Sequence, residues 1–158
     1  MGKCGKVARL AVLVAMMAGP ALAAECGEDQ VHLKGDWGQA RFSVEVADDR
    51  AERNRGLMNR EKLPMSAGML FVYNAPNSVS FWMRNTLIPL DMIFMDSTGT
   101  VMRVHSNAVP LDETPIFGGN NIQYVLEING GLAERMGIEV GSVLQHPAID
   151  QARAAWPC

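Results

Sequence analysis

Past its first 23 residues this chain has no apolar run long enough to cross a membrane, few basic residues and no Cys-x-x-Cys pair. A spanning helix needs about 20 apolar residues in succession, so no span is expected in residues 24–158. The shortage of Lys and Arg argues against nucleic-acid binding, where phosphate neutralisation supplies most of the affinity. Without a Cys-x-x-Cys pair a dithiol redox centre has no basis. The Gly-x-Ser-x-Gly elbow, the phosphate loop and the His-Glu-x-x-His helix are missing too. That removes the commonest serine-hydrolase, nucleotide-hydrolase and metalloprotease signatures. His32, His105 and His146 are scattered without metal-ligand spacing, and no motif calls for a cofactor.

What is present begins with an address. Lys3, Lys6 and Arg9 make a positive start, Leu10 to Met17 form a short apolar core, and Ala21-Leu22-Ala23 supplies small residues for a signal peptidase. Residues 1–23 are therefore expected to be a signal peptide cleaved near Ala23, leaving a periplasmic or secreted protein. Glu25 before Cys26 is the wrong residue for a lipoprotein site. Cleavage takes three of the 14 basic residues and none of the 17 acidic ones, so residues 24–158 carry a net charge of −6. They are enough for a single domain with its own core. Cys4 leaves with the leader, and Cys26 and Cys158 remain near the two ends. In an oxidising compartment they are expected to pair and clasp the termini.

Along residues 24–158, turn signals separate short apolar runs in an all-β pattern. Arg41 to Val46 alternates as a half-buried strand. Asp49, with Glu52 three residues on, caps a short helix expected to run to Arg60, with Gly56 inside it marking a close backbone approach. Met69 to Val72, Ser80 to Arg84, Leu90 to Met95 and Thr100 to His105 read as strands. Asp96-Ser97-Thr98-Gly99 reads as a tight turn and Asn107 to Asn121 as a long Pro/Gly-rich loop suited to a lid. Tyr124 to Ile128, a short helix Leu132 to Met136 closed by Gly137, and a strand at Val143-Leu144 follow.

Several motifs recur in a distinctive order: Arg55-Gly56-Leu57-Met58-x-Arg60, Leu63-Pro64, Gly68-Met69-Leu70-Phe71, Phe81-Trp82-Met83-Arg84-Asn85-Thr86, Pro89-Leu90-Asp91 and Tyr124-Val125-Leu126-Glu127. In these the chain resembles the domain-of-unknown-function family 192 over about residues 40–146. The resemblance implies a compact, mainly β domain of sandwich or jelly-roll type, often exported. It implies no reaction, substrate or cofactor, and no catalytic residues.

The residues themselves nominate one region. Ser80 to Met95 reads as a hairpin around Asn85 to Pro89, whose register the sequence leaves open. Asp91 sits among apolar neighbours and must be hydrogen-bonded, either pinning the corner through Asn85 and Thr86 or facing a pocket with Trp82, Arg84, Asn85 and Thr86. Arg55 and Arg60 would bind an anion or pair with Glu127 or Asp91. Glu45, Asp91 and Glu127 are the carboxylates from which an acid/base pair of glycosidase type would have to come. Met58, Met65, Met69, Met83, Met92, Met95, Met102 and Met136 offer soft ligands for copper(I), or simply fill the core. The expectation is a non-catalytic binding or accessory module of the cell envelope, taking a small molecule, a glycan or another envelope protein. A carboxylate-dependent hydrolase of envelope saccharides and a copper(I) carrier are the alternatives.

Overall fold

The computed structural model describes residues 1–2 and 26–158; the expected signal peptide lies outside the described residues. The chain forms strands β1 (Gln30–Gly35) and β2 (Gly38–Ala47), helix α1 (Arg50–Arg55), strands β3 (Ala67–Phe81), β4 (Leu90–Met95), β5 (Val101–Ala108) and β6 (Ile116–Asn129), helix α2 (Leu132–Met136) and strand β7 (Val143–Gln145). The seven strands among the described residues belong to one sheet in the order β5-β4-β6-β3-β2-β1-β7. The domain is mainly β with two short helices, as the turn spacing predicts. β2 and β3 run parallel, joined through α1, and every other pairing is antiparallel.

The sheet curls until its edges approach. Thr100 bridges Val143, and the N–H groups of Val101 and Leu144 donate to Ser142 O (2.8 Å) and Gly99 O (2.9 Å). Closing the curl in this way protects edges that would otherwise be open to further pairing. It also gives two apolar layers from one sheet. The inner layer gathers Val31, Phe42, Leu70, Ile93, Leu126 and Leu144 with their neighbours. The outer layer holds Met69, Phe71, Met83, Met92, Phe94 and Val125, covered by the segments that follow α1 and β3.

Four local expectations change. The Ser80–Met95 hairpin does not form, because β6 lies between β3 and β4. β4 is buried at every position, and such a strand needs neighbours on both sides, which β5 and β6 provide. The chain after β3 is held instead against the β5–β6 connection. There Met83 N–H donates to Asp112 O and Leu111 N–H to Thr86 O. Second, β3 ends at Phe81, and Asn85 turns the chain with φ +53°. Third, α1 stops at Arg55: Gly56 takes φ +49°, and a Cβ there would meet the Phe71 ring at 3.2 Å. The expected close approach is real, but it ends the helix. Fourth, the long loop is short, since β5 runs to Ala108 and β6 starts at Ile116. Gly118 and Gly119 lie within β6, opposite register shifts in β3, and the Phe94 ring occupies the space a Gly118 side chain would need. β1 was not anticipated at all.

Candidate functional site

α1 has the sequence Arg-Ala-Glu-Arg-Asn-Arg and buries none of its residues. With no apolar stripe it cannot press into the sheet. It is held at its ends. Asp49 Oδ1 accepts the Glu52 N–H (2.8 Å), Leu57 just beyond the helix is buried at 2% exposure, and Arg53 Nη1 donates to Val72 O (2.8 Å) and to Asp48 O. The Arg53 guanidinium also lies 5.1 Å from the Tyr73 ring centre. A cleft of about 530 Å³ remains between the helix and the outer layer of the sheet.

Arg50, Arg53, Asn54 and Arg55 line the cleft from the helix side. Phe71, Tyr73, Phe81 and Trp82 supply aromatic wall, and among the described residues Glu127 is its one carboxylic acid. Phe71 and Phe81 meet edge to face with ring centres 4.9 Å apart, a geometry that fixes the wall. Trp82 is 46% exposed, with the Arg84 guanidinium 5.6 Å from its ring centre. Trp82 therefore stands at the mouth rather than in the core.

Glu127 occupies central strand β6 with Met69 of β3 and Met92 of β4 as its cross-strand neighbours. It is 5% exposed, and among the described residues its side chain makes no hydrogen bond or ion pair. No buried side-chain oxygen or nitrogen among the described residues lacks a partner, so the Glu127 carboxyl reaches the cleft rather than being sealed off. Burial pushes its pKa up to about 8, because removal from water penalises the charged carboxylate. At neutral pH the group is mostly a carboxylic acid, with one proton to donate and acceptor capacity left.

The other nominated residues go elsewhere. Asp91 is fully buried, and its register partner is Ile128, so it faces the opposite side of the sheet from Glu127. It does not bond the Asn85-Thr86 turn. Its carboxylate accepts N–H groups from Asn107 (2.6 Å), Gly131 (2.7 Å) and Ala133 (2.6 Å). This satisfies the start of α2, whose N-cap Gly131 has no side chain to do so. Arg60 pairs with neither Asp91 nor Glu127. It makes a two-pronged bond to Glu45 (2.5 and 2.6 Å) on the surface, which holds the Glu45 carboxyl below its ordinary range. Thr86 is buried at the edge of the cleft, while Arg84 and Asn85 are exposed and do not line it. Of the nominated residues, Arg55, Trp82, Thr86 and Glu127 share the cleft.

Arg50, Arg53, Tyr73, Phe71 and Phe81 were missed. One signal was available: Arg50, Arg53 and Asn54 stand at i, i+3 and i+4 of a capped helix with no apolar side, so one polar face had to look toward the sheet.

Cys26 and Cys158 form a disulfide, the pairing expected from the cysteine placement. No helix among the described residues is long and apolar enough to cross a membrane.

Fold and cleft together describe a family without an assigned reaction. The model of the family described as Uncharacterized ACR, domain of unknown function 192, matches residues 31–146. The chain belongs to that family, and the match begins earlier than the motifs suggest because it takes in β1. A protein of unknown function from Novosphingobium aromaticivorans DSM 12444 is similar in structure with a TM-score of 0.71 and 46% identity, over 73% of this chain and 82% of that one. A protein from Sinorhizobium meliloti 1021, provisionally described as a transcription regulator, is similar with a TM-score of 0.74 and 36% identity, over 80% of this chain and 98% of that one. No curated protein matches the sequence.

Proposed function

We propose that this protein is an exported, non-catalytic binding or accessory module of the cell envelope, and that the cleft beneath α1 receives its ligand. One observation carries the reading: Glu127, a residue only 5% exposed, opens its carboxyl onto a cleft where it has no hydrogen-bond partner among the described residues. A sparsely hydrated carboxyl gains from a ligand that hydrogen-bonds it, by at most the roughly 1–3 kcal/mol that a fully buried unsatisfied polar group costs. Aromatic walls with a few convergent polar groups are the usual composition of small-molecule sites. Export is supported by the basic, apolar and small-residue order of residues 3–23 and by the Cys26–Cys158 disulfide, a bond at home in oxidising compartments. The surplus of 17 acidic over 11 basic residues in positions 24–158 favours a partner other than nucleic acid.

Hydrolysis by paired carboxylates has less support, because Glu127 stands alone in the cleft, Asp91 faces away and Glu45 is held by Arg60. A copper(I) role has similarly little, since among the described residues Met58 is the one thioether lining the cleft and Met69, Met83 and Met92 are buried in the outer layer. The test is a thermal-shift screen of sugars, small organic acids, neutral amides and metal ions against the wild type and Glu127→Leu. Compounds that raise the melting point of the wild type and not of the variant support the cleft. Equal shifts in both proteins, or no shift from any compound, reject it.

A further inference from the structure

Resting on the cleft as the binding site, we infer that its ligand is a small organic anion, a carboxylate or phosphate on a flat apolar body. The charged end would meet the guanidinium groups of α1 and the body would lie against Phe81 and Trp82. The first argument is local charge. The protein is acidic overall, yet Arg50, Arg53 and Arg55 all line one cleft whose single acid is Glu127. Arg50 and Arg55 are exposed, and neither side chain makes a hydrogen bond or ion pair among the described residues. Arg60 takes up the Glu45 carboxylate, which Arg55 also approaches without bonding to it. Here two guanidiniums are left free beside a third that is fixed by backbone carbonyls and stacked on Tyr73. A planar fork of this kind suits bidentate capture of carboxylate or phosphate.

The second argument concerns the floor. An anionic Glu127 would favour a cation, but burial keeps the group protonated near neutrality, so it offers an O–H to a ligand oxygen. The side chains that share the cleft with it include the three arginines of α1 and Tyr73 of β3, and its cross-strand neighbours are Met69 of β3 and Met92 of β4. None of these is an acid. The third argument is shape: the helix side of the cleft is polar and the sheet side aromatic, so a ligand polar at one end and flat at the other matches both.

The experiment compares matched probes on the full chain at constant ionic strength and slightly acidic pH: phenylacetate and phenyl phosphate, their neutral counterparts phenylacetamide and benzyl alcohol, the cation benzylamine, and inorganic phosphate alone. Binding is followed by Trp fluorescence and by chemical shifts of the cleft residues. The two anionic aromatics are expected to bind at least about tenfold more tightly than the neutral pair, the order of one good charged contact. Arg50→Gln with Arg55→Gln should remove that preference while leaving the weak binding of the neutral probes. The ratio between phenylacetate and phenyl phosphate then decides which oxyanion the arginines prefer. Equal or tighter binding of the neutral probes or of benzylamine would overturn the anionic assignment and leave the cleft a binding site. Failure of every probe to perturb the cleft would overturn both readings. Inorganic phosphate binding as tightly as the aromatics would overturn the apolar half of the inference.

Discussion

Glu127→Gln isolates the energetic consequence of a carboxyl in the outer layer of the sheet. In the folded chain its pKa is pushed up from an ordinary 4.5 to about 8 by desolvation. A raised carboxyl pKa means that the folded state holds a proton that the unfolded state releases between those values. Stability is then fully present below pH 4.5, falls as pH rises, and levels off above about pH 8. At about 1.36 kcal/mol per pH unit the full loss is on the order of 5 kcal/mol, with roughly 70% of it gone by neutral pH. Glutamine has the same shape and never ionises, so the variant lacks this slope. Exposed pairs such as Arg60–Glu45 contribute equally to both proteins and cancel in the comparison. Urea denaturation of wild type and Glu127→Gln at acidic, neutral and mildly alkaline pH should give similar stabilities at the first. A widening advantage for the variant should appear at the others. Parallel stability profiles would refute the argument, since they would mean that Glu127 ionises as easily folded as unfolded.

Two further outcomes follow from the geometry. Asp91→Ala strands the N–H groups of Asn107, Gly131 and Ala133, and at about 1–3 kcal/mol for each unsatisfied group the loss should be about 3 kcal/mol or more, with Asp91→Asn intermediate; a loss below about 1 kcal/mol by denaturant titration would show that water reaches those groups. Opening the Cys26–Cys158 clasp by Cys158→Ser should lower stability by up to about 5 kcal/mol, because the bridge spans 132 residues and constrains the unfolded chain. Unfolding curves of the variant and of wild type with and without reductant check this, and coincidence of oxidised wild type with the variant would refute it.

Much of the fold was legible because its strongest signals are local. Alternation in Arg41 to Val46 and the apolar runs at Leu90 to Met95 and Tyr124 to Ile128 became strands, and the Asp49 and Gly137 signals mark real helix ends. Strand order was not legible. Two apolar runs separated by a Pro-containing corner read as a hairpin, but sequence proximity does not say which edge is free when the second run arrives. β6, from far along the chain, takes the place between them. Gly118, Gly119, Asn120 and Asn121 likewise read as loop, although each is tolerated where β6 crosses the bulged part of β3. Breakers mark bulges as readily as loops, and only the partner strand decides which.

The site was half legible for a related reason. Asp91 and Glu127 looked equivalent, each a carboxylate inside an apolar run that must find partners. Alternation along antiparallel strands then separates them: the register that sets Met92 beside Glu127 sets Asp91 beside Ile128, so the two side chains leave the sheet on opposite faces. On the inner face Asp91 meets three backbone N–H groups and is consumed by the fold. On the outer face Glu127 has Met69 and Met92 as cross-strand neighbours and opens onto the cleft lined by α1, a helix that buries none of its residues. The same polar composition that keeps α1 from packing into the sheet also lines the cleft with Arg50, Arg53 and Arg55. An ordinary amphipathic helix at this position would have packed against the sheet and filled the space. The cleft, its buried acid and its cationic wall thus have one origin in the residues of α1, which is why altering that helix should change what binds while leaving the β framework intact.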